Sequence, residues 1–396
     1  MSPQMEQRGP GAASGLLGAV AIIAVAINLR PALAAIGPVL DRIEAGSGLT
    51  SSGAGLLTTL PVCLMGIGAL AVVPLRQHLE ERRGVFVGMA MIVLACLMRA
   101  VWPTGTGLLS TAAVAGLGIA IIQALMPGFI KRAFPHDVGR VMGLYSTAIM
   151  GGATLAAASA AGLSHWFGWE AMLGLWALPA LLALVLWRTS WPPEDARSAS
   201  PSKAAAPPLW LSGQAWLLLL FFGIGTGAYT LVLAWLPPFY VGLGLGEDRA
   251  GYLLAGLTLM EVVAGLAVAA TIDRFPDRRW ALATALSAIL AGLACLVAAP
   301  LPLALAAMIL LGLGIGALFP LSLIVTLDCA SEPVAAGGLT AFVQGGGYIV
   351  AGLMPFAAGW LRDHAADLSQ AWIAMGVGIA LLLAIVPRFS PDRRIA

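Results

Sequence analysis

The residues with the clearest chemical potential lie in one apolar stretch near the N-terminus, which reads INLRPALAAIGP and includes Asn28, Arg30 and Pro31. Asn28 is the only asparagine of the chain. A cation at the centre of a membrane helix costs about 2.5 to 3.5 kcal/mol on insertion scales, so we expect a function for Arg30. It could bind an anionic solute, pair with an acidic side chain, or cap neighbouring carbonyl groups.

Pro31 has no amide proton and crowds the carbonyl of Ile27, one turn earlier in the chain, so we expect a kink there. The residue before a proline is biased away from helical geometry, which applies to Arg30. A helix broken at this depth exposes backbone groups that can bind a solute. Asn28 is then expected to orient either the solute or Arg30.

Glu261 is the one acidic residue deep within a predicted membrane segment, in the string LTLMEVVAG. A carboxyl group at that depth has a functional role by default, and it could exchange protons during transport. It could also be a static partner of Arg30 or of another polar group. The sequence leaves both interpretations open.

Other hydrogen-bonding side chains also lie inside apolar segments. Thr226, Tyr229 and Thr230 follow the helical spacing i, i+3, i+4 and give one segment a polar face. Such groups face protein or a water-filled cavity rather than lipid, and each could instead join two helices. The predicted solute-binding residues are Arg30, Asn28, Gln123, Tyr145, Tyr229, Gln344 and Tyr348.

Membrane helices must position these side chains, because the composition is more apolar than that of a soluble domain. The 396 residues are 60% hydrophobic and 10% charged, whereas soluble domains are about 45 to 50% apolar. A formal net charge of +2 without a dense basic run argues against nucleic acid as a partner. The four cysteines are isolated, so neither a disulfide framework nor a metal site is predicted.

Apolar runs long enough to cross the bilayer as helices, about 20 residues each, occur twelve times. The predicted spans are 15–40, 49–73, 84–101, 107–130, 139–163, 169–187, 213–238, 250–272, 280–299, 302–327, 334–359 and 370–387. We therefore expect an all-α membrane protein with both termini on the same side.

The basic residues indicate which side that is. Most of the 21 Lys and Arg residues fall on the side of the termini, and only Arg42, Arg99, Arg249 and Arg362 fall on the other. Because basic residues concentrate in cytoplasmic loops, both termini are predicted in the cytoplasm, with the helices in a bacterial inner membrane. The predicted division is a tail (1–14), a six-helix bundle (15–187), a linker rich in Pro, Ser and Ala (188–212), a second six-helix bundle (213–387) and a tail (388–396).

The two halves repeat short motifs at a nearly constant spacing. QHLEERR at 77–83 corresponds to DRFPDRR at 273–279, and Gly116-Leu-Gly118 corresponds to Gly312-Leu-Gly314. Gly151-Gly152 and Gly346-Gly347 form a third pair. Parallel repeats of six helices predict two pseudo-symmetric bundles.

These features resemble the major facilitator superfamily, and the resemblance covers the whole chain. The DRFPDRR loop resembles its acidic-basic motif between the second and third helices of a half, although Gln77 and His78 replace Asp and Arg in the first copy. The string around Arg30 resembles the start of the cyanate and nitroimidazole transporter branch. The resemblance implies the major facilitator fold, a small-solute permease, and a gating or conformational role for Asp273, Arg274, Arg278, Arg279, Arg82 and Arg83.

We therefore predict a secondary active transporter that moves a small anionic or polar planar solute, resembling cyanate, a nitroimidazole or a carboxylate, by alternating access. Protons are a candidate co-substrate, with Glu261 as the coupling candidate. The alternatives are a proton-linked exporter of drugs or metabolites and, more remotely, a membrane sensor descended from a transporter. We expect a monomer in the lipid bilayer, no enzymatic activity, no cofactor, no metal and no nucleic acid.

Overall fold

The computed structural model describes residues 12–71, 79–191, 209–271, 274, 277–329, 333–365 and 367–389. Within these ranges the chain forms helices and no strand. Twelve helices are long and apolar enough to cross a membrane. The prediction of an all-α protein with twelve spans is confirmed.

The membrane helices overlap the predicted spans, and the largest extension is at the end of the first helix, which continues to Ser47. In chain order they are α1 (Leu16–Ser47), α2 (Ser51–Leu70), α3 (Glu81–Val101), α4 (Gly105–Ala133), α5 (Val138–Phe167), α6 (Trp169–Ser190), α7 (Gly213–Gly242), α8 (Glu247–Thr271), α9 (Arg279–Ala298), α10 (Ala304–Asp328), α11 (Pro333–Ala365) and α12 (Ser369–Ile385). Most of the predicted linker, residues 192–208, lies outside the described part of the chain.

Local sequence signals explain several helix boundaries. The hydroxyl groups of Thr50, Thr104 and Ser212 each accept a hydrogen bond from the amide three residues later, so they cap α2, α4 and α7. Gly48 ends α1 with φ +70°, a left-handed conformation that favours glycine. These caps fix where the chain turns back into the bundle.

Because the number of spans is even, the start of α1 and the end of α12 lie on one face of the bundle, which we call the terminal face. The loop between α1 and α2 lies on the opposite face, which we call the distal face. The two halves pack along α2 and α11, where Gly66 and Gly345 bring the backbones together, and along α5 and α8. Close glycine contacts of this kind are typical of membrane helices.

Candidate functional site

Arg30 lies in a break of α1. The helix that begins at Ala12 ends at Ile27, and a short turn, Pro31–Ala34, follows. Pro31 offers no amide to the Ile27 carbonyl, so this carbonyl points away from the helix and lies against Gly152 of α5. Any Cβ atom at Gly152 would overlap it. The predicted kink is therefore confirmed, and a glycine of the neighbouring helix accommodates it.

The guanidinium group of Arg30 is buried but poorly satisfied. Its side chain is only 6% exposed. Nη1 contacts Met65 Sδ at 3.9 Å, the charge lies 5.5 Å from the centre of the Tyr229 ring, and Nε has no hydrogen-bond partner in the described structure. No carboxylate of the described residues forms an ion pair with it. A buried charge in this state is costly and calls for an anionic partner.

Arg30 lines a cavity of about 440 Å³ between the two halves. The lining continues to Gly143 in the second turn of α5 and to Ala269 in the last turn of α8, so the cavity extends towards the terminal face. Apolar side chains dominate its walls. The polar lining residues are Arg30, Gln123, Ser146, Thr147, Thr226, Tyr229, Thr230, Glu261, Ser322 and Tyr348.

Glu261 of α8 lines the same cavity from the second half and is 5% exposed. Its backbone is pressed against Gly316 of α10, where a Cβ atom would overlap it. Its Oε1 atom is buried and accepts no hydrogen bond from the described residues. No ion pair within hydrogen-bonding distance joins Glu261 to Arg30 among the described residues, but the two side chains lie within electrostatic reach of each other across the cavity.

Three buried tyrosines lie near the cation. Tyr145, Tyr229 and Tyr348 are all within electrostatic reach of Arg30. The hydroxyl groups of Tyr145 and Tyr229 are buried and lack a partner in the part of the chain that the structure describes. Leaving such a group unsatisfied costs about 1 to 3 kcal/mol, so the hydroxyl of Tyr229, which lines the cavity, is suited to meet a bound polar ligand.

Asn28, Tyr145 and Gln344 do not belong to the set of residues that line the cavity. The Asn28 amide donates hydrogen bonds to the Ala24 carbonyl at 2.8 Å and to the Pro179 carbonyl at 3.2 Å. It therefore connects the end of the first α1 segment to α6. Gln344 is half-buried on α11. Of the seven predicted solute-binding residues, Arg30, Gln123, Tyr229 and Tyr348 line the cavity together.

Thr230 lines the cavity, but its hydroxyl group is already used. It donates to the Ala351 carbonyl at 2.7 Å and lies 3.1 Å from the Gly227 carbonyl. Pro355, four residues after Ala351, cannot supply the helical donor for that carbonyl. Thr230 therefore replaces the missing amide and joins α7 to α11. Its hydroxyl group connects two helices, which was the alternative to solute binding for this polar face.

Ion pairs between the halves close the distal face. Arg362 of α11 lies 2.8 Å from Asp41 and 3.5 Å from Glu44, both at the end of α1. Arg42, beside them, lies 2.8 Å from Glu247 at the start of α8. The charge of Arg362 also lies 5.5 Å from the Trp235 ring of α7. The ion pairs hold α8 and α11 of the second half against α1, and the contact with Trp235 joins α11 to α7.

Backbone contacts complete this closure. The Asp363 carboxylate accepts hydrogen bonds from the amides of Ser51 and Ser52 at 2.9 and 2.8 Å, so an acid of α11 caps the start of α2. Gly37 of α1 packs against the Leu233 carbonyl of α7, where a Cβ atom would approach to 2.8 Å. The cavity is therefore shut on the distal side.

Several charged groups on the terminal face form contacts within one half. Arg132 of α4 lies 2.7 Å from Glu81 of α3, and Arg278 lies 3.2 Å from Asp328 of α10. Arg82 donates to the backbone carbonyls of Arg188 and Trp191 at the end of α6. These bonds stiffen each half without joining it to the other.

The predicted gating loops need one correction. Arg82 and Arg83 lie in the first turn of α3 rather than in a loop, because the helix begins at Glu81, where an acid favours a helix N-terminus. Arg279 begins α9 and pairs with Asp277 at 2.7 Å, and its hydrogen bonds hold the pKa of that carboxyl below its ordinary value. Arg274 is exposed. Asp273 lies outside the described residues.

Comparison with known families identifies the architecture. The model of the Major Facilitator Superfamily matches residues 15–352 and 243–395. The chain belongs to the Major Facilitator Superfamily. The fold class predicted from the repeats is therefore correct.

Two similar proteins are transporters of Escherichia coli (strain K12). The cyanate transport protein CynX is 39% identical, over 94% of this chain and 97% of that protein. The 2-nitroimidazole transporter is 33% identical, over 92% of each chain. This major facilitator is accordingly a transporter and not an enzyme, and the branch resemblance seen around Arg30 extends along most of the chain.

Solved structures share the fold at low sequence identity. A D-xylose-proton symporter aligns over 96% of this chain and 97% of its own, with a TM-score of 0.74 and 15% identity. A bacterial homologue of the human lysosomal transporter Spinster, in an inward-facing and unoccupied conformation, aligns over 98% and 100%, with a TM-score of 0.77 and 14% identity. These likenesses concern the fold alone.

The sequence analysis of this major facilitator missed one buried cation. Arg99 had been grouped with the distal-face charges, and it does lie near the distal end of α3, but its side chain is only 1% exposed. The available signal was an arginine near the end of the predicted span 84–101, which is otherwise apolar. Met65, which contacts Arg30, carried no signal because methionine is an ordinary core residue.

Proposed function

We propose that this transporter moves a small anionic or polar planar solute, resembling cyanate, a nitroimidazole or a carboxylate, through the cavity beside Arg30. The observation that carries the proposal is a buried guanidinium group that lines a cavity and forms no ion pair with a described residue. A bound anion would supply the missing partner. The names of the similar proteins, a cyanate transport protein and a 2-nitroimidazole transporter, agree with this chemistry.

The surroundings of Arg30 favour a small and planar solute. The planar guanidinium fork matches carboxylate-like geometry. The Tyr229 ring lies against the same charge, and the hydroxyl group of Tyr229, which lines the cavity, is available as a hydrogen-bond donor. Apolar walls exclude water, which strengthens each of these polar contacts.

Transport is proposed to follow alternating access, in which the two halves rock about the cavity. In the structure the distal face is closed by Asp41, Arg42, Glu247 and Arg362, and the cavity extends towards the terminal face. Opening the distal face requires these ion pairs to separate. The distribution of basic residues supports a cytoplasmic location for the terminal face.

Glu261 is the candidate for proton coupling. It shares the cavity with Arg30 without pairing directly with it, so its protonation state changes the net charge that a solute meets. Proton uptake by Glu261 would lower the repulsion of an anion and favour loading. If Glu261 is instead a static polar group, its glutamine variant will keep the proton dependence of uptake.

The second candidate function is proton-linked export of drugs or metabolites. The apolar lining, with Met65, Met150, Phe222 and Phe319 among its members, suits ligands that are larger and less polar than cyanate. Ligand breadth distinguishes the two functions. An exporter of this kind would bind unrelated hydrophobic compounds and would keep much of that binding without Arg30.

The test uses purified protein in detergent and in proteoliposomes, with cyanate, 2-nitroimidazole and small carboxylates as probes. Loss of a desolvated charge contact costs about 2 to 5 kcal/mol, so Arg30→Ala should weaken anion binding roughly 30-fold to several thousand-fold. Arg30→Lys keeps the charge but loses the planar fork, so its anion affinity should lie between that of the parent and that of Arg30→Ala. Arg249→Ala removes an exposed distal-face arginine and serves as the matched control. Undiminished anion binding by Arg30→Ala would refute the proposal.

A further inference from the structure

Arg99 is a second buried arginine, and it faces the backbone rather than the cavity. It lies in the last turn of α3 and is 1% exposed. Nη1 donates to the Ala32 carbonyl at 2.8 Å, whereas Nε and Nη2 are buried without a partner in the described part of the chain. No described carboxylate forms an ion pair with it. Removing two guanidinium nitrogens from water without partners is expensive.

The Ala32 carbonyl needs a donor from outside its own helix. In a regular helix it would accept a hydrogen bond from the amide of Ile36. That amide instead lies 3.3 Å from the Leu33 carbonyl, because the turn tightens as the Pro31–Ala34 segment ends. Arg99 therefore supplies the hydrogen bond that the broken helix has lost.

The break is thus fastened to two neighbouring helices. On one side the Asn28 amide donates to the Pro179 carbonyl of α6. On the other side Arg99 of α3 holds the Ala32 carbonyl. Arg30 lies between these two attachment points. The direction in which its guanidinium group leaves the backbone therefore depends on both bonds.

Small side chains make room for this arrangement. Ala32 of α1, Ala95 of α3 and Ala115 of α4 pack together as a cluster of buried alanines. Ala95 precedes Arg99 by one helical turn, so the cluster lies on the same face of α3 as the arginine. Close approach of the three helices brings the guanidinium group within reach of the α1 backbone.

We propose that Arg99 is a positioning residue for solute binding: it fixes the broken segment of α1 so that Arg30 presents its guanidinium group to the cavity. This inference rests on the proposed function, because it requires Arg30 to bind the solute. In this proposal Arg99 is buried because it holds a backbone carbonyl, and it does not contact the solute. Its effect on binding must therefore pass through Arg30.

The test compares Arg99→Met and Arg99→Lys with the exposed control Arg249→Met. Losing a charged donor from a buried carbonyl should weaken anion binding about tenfold or more in Arg99→Met. Arg99→Lys retains a cationic donor and should recover part of that loss. Hydrogen–deuterium exchange should rise at the backbone of residues 29–37 in Arg99→Met while the other membrane helices exchange as in the parent. A general loss of stability would raise exchange throughout the bundle.

A double-mutant comparison separates this inference from the proposed function. If Arg99 acts through Arg30, adding Arg99→Met to Arg30→Ala should cause no further loss of anion binding. Parent-like binding and exchange in Arg99→Met would overturn the inference while leaving the Arg30 site intact. Parent-like binding in Arg30→Ala would overturn the proposed function itself. If Arg99→Met does not fold, Arg99→Gln replaces it throughout, because its shorter amide cannot reach the position of Nη1.

Discussion

The first half of the bundle breaks its first helix at Arg30, whereas the second half runs its counterpart, α7, as one helix from Gly213 to Gly242. In α1 the proline lies at the centre of the span, and the freed carbonyl of Ile27 meets Gly152. In α7 the prolines, Pro237 and Pro238, lie near the distal end. Proline therefore interrupts the first helix of one half at the binding segment, whereas in the other half the prolines lie within a continuous helix near the closed end.

This difference decides which half supplies the charge. The broken segment places the guanidinium group of Arg30 at the cavity, while the intact α7 offers the ring of Tyr229 and the hydroxyl of Thr230. The acid comes from α8, as Glu261. Two bundles of similar architecture thus build one asymmetric site, with the cation in the first half and the carboxyl in the second.

On the terminal face each half contains an ion pair between neighbouring helix ends, and the order of acid and base is opposite in the two halves. In the first half the acid of the α3–α4 pair is Glu81 on α3 and the base is Arg132 on α4. In the second half the base, Arg278, precedes α9 and the acid, Asp328, ends α10. Arg132 and Asp328 occupy equivalent positions with opposite charge, whereas their partners differ by one position, because Arg278 corresponds to Arg82 and not to Glu81.

The largest expected difference between the halves concerns their buried charges. Arg30→Ala should remove most anion binding, as described above, whereas Glu261→Gln removes negative charge from the cavity and should leave anion affinity equal or higher. In proteoliposomes, Glu261→Gln should also lose the dependence of uptake on an imposed proton gradient. Uptake and counterflow measured at several pH values check both effects. A proton dependence identical to that of the parent would exclude Glu261 from coupling.

The equivalent glycines of α5 and α11 offer the next comparison. A Cβ atom at Gly152 meets the backbone carbonyl of Ile27, which cannot rotate away, whereas one at Gly347 meets chiefly the ring of Phe222. Overpacking costs about 1 to 3 kcal/mol, so Gly152→Ala should lower thermal stability and anion affinity more than Gly347→Ala does. Equal losses in the two variants, measured by thermal unfolding and titration, would show that the break in α1 places no special demand on Gly152.

A smaller effect is expected from the ion pairs of the two faces. Arg362→Gln removes contacts between the halves, so it should favour opening of the distal face. Exposed pairs contribute about 0.2 to 1 kcal/mol each, which corresponds to a shift of up to several-fold in the equilibrium between states. Spin labels at the exposed positions Ala45 and Leu243 would report the change as a longer distance distribution.

The matched control is Arg132→Gln, which removes a contact within the first half. It should leave the distance distribution between Ala45 and Leu243 unchanged. A similar lengthening in both variants would show that the distal ion pairs have no special part in closure. The comparison therefore separates contacts that join the halves from contacts that stiffen one of them.

The smallest effect is expected from exchanging the charges of one terminal-face pair. Glu81→Arg combined with Arg132→Glu gives the first half the charge order of the second. Arg132 is half-exposed, but Glu81 is buried, so each single variant replaces an opposite pair by two like charges and should be less stable than the double variant, which restores an opposite pair. Thermal unfolding of the three variants checks this expectation. A double variant as unstable as the singles would show that the two positions are not interchangeable.

Hydropathy and residue type were sufficient to predict the twelve spans, the repeat of six helices and the kink at Pro31. Each is a local property: apolar length sets a span, and a proline removes a donor from a known carbonyl. Glu261 and Arg30 stood out for the same reason, because charges are rare in membrane helices. The family and the general class of function were therefore accessible from the chain alone.

The contact partner of each polar side chain was decided by the tertiary structure, because it depends on how each helix is rotated and which helix lies beside it. Asn28 turns to a carbonyl of α6, and Thr230 turns to the carbonyl freed by Pro355, so neither side chain is wholly available to a solute. Arg30 and Glu261 line one cavity without pairing. Arg99 lies beside the break in α1 only because α3 packs there. The spacing of residues along one helix does not determine the distances between atoms of different helices.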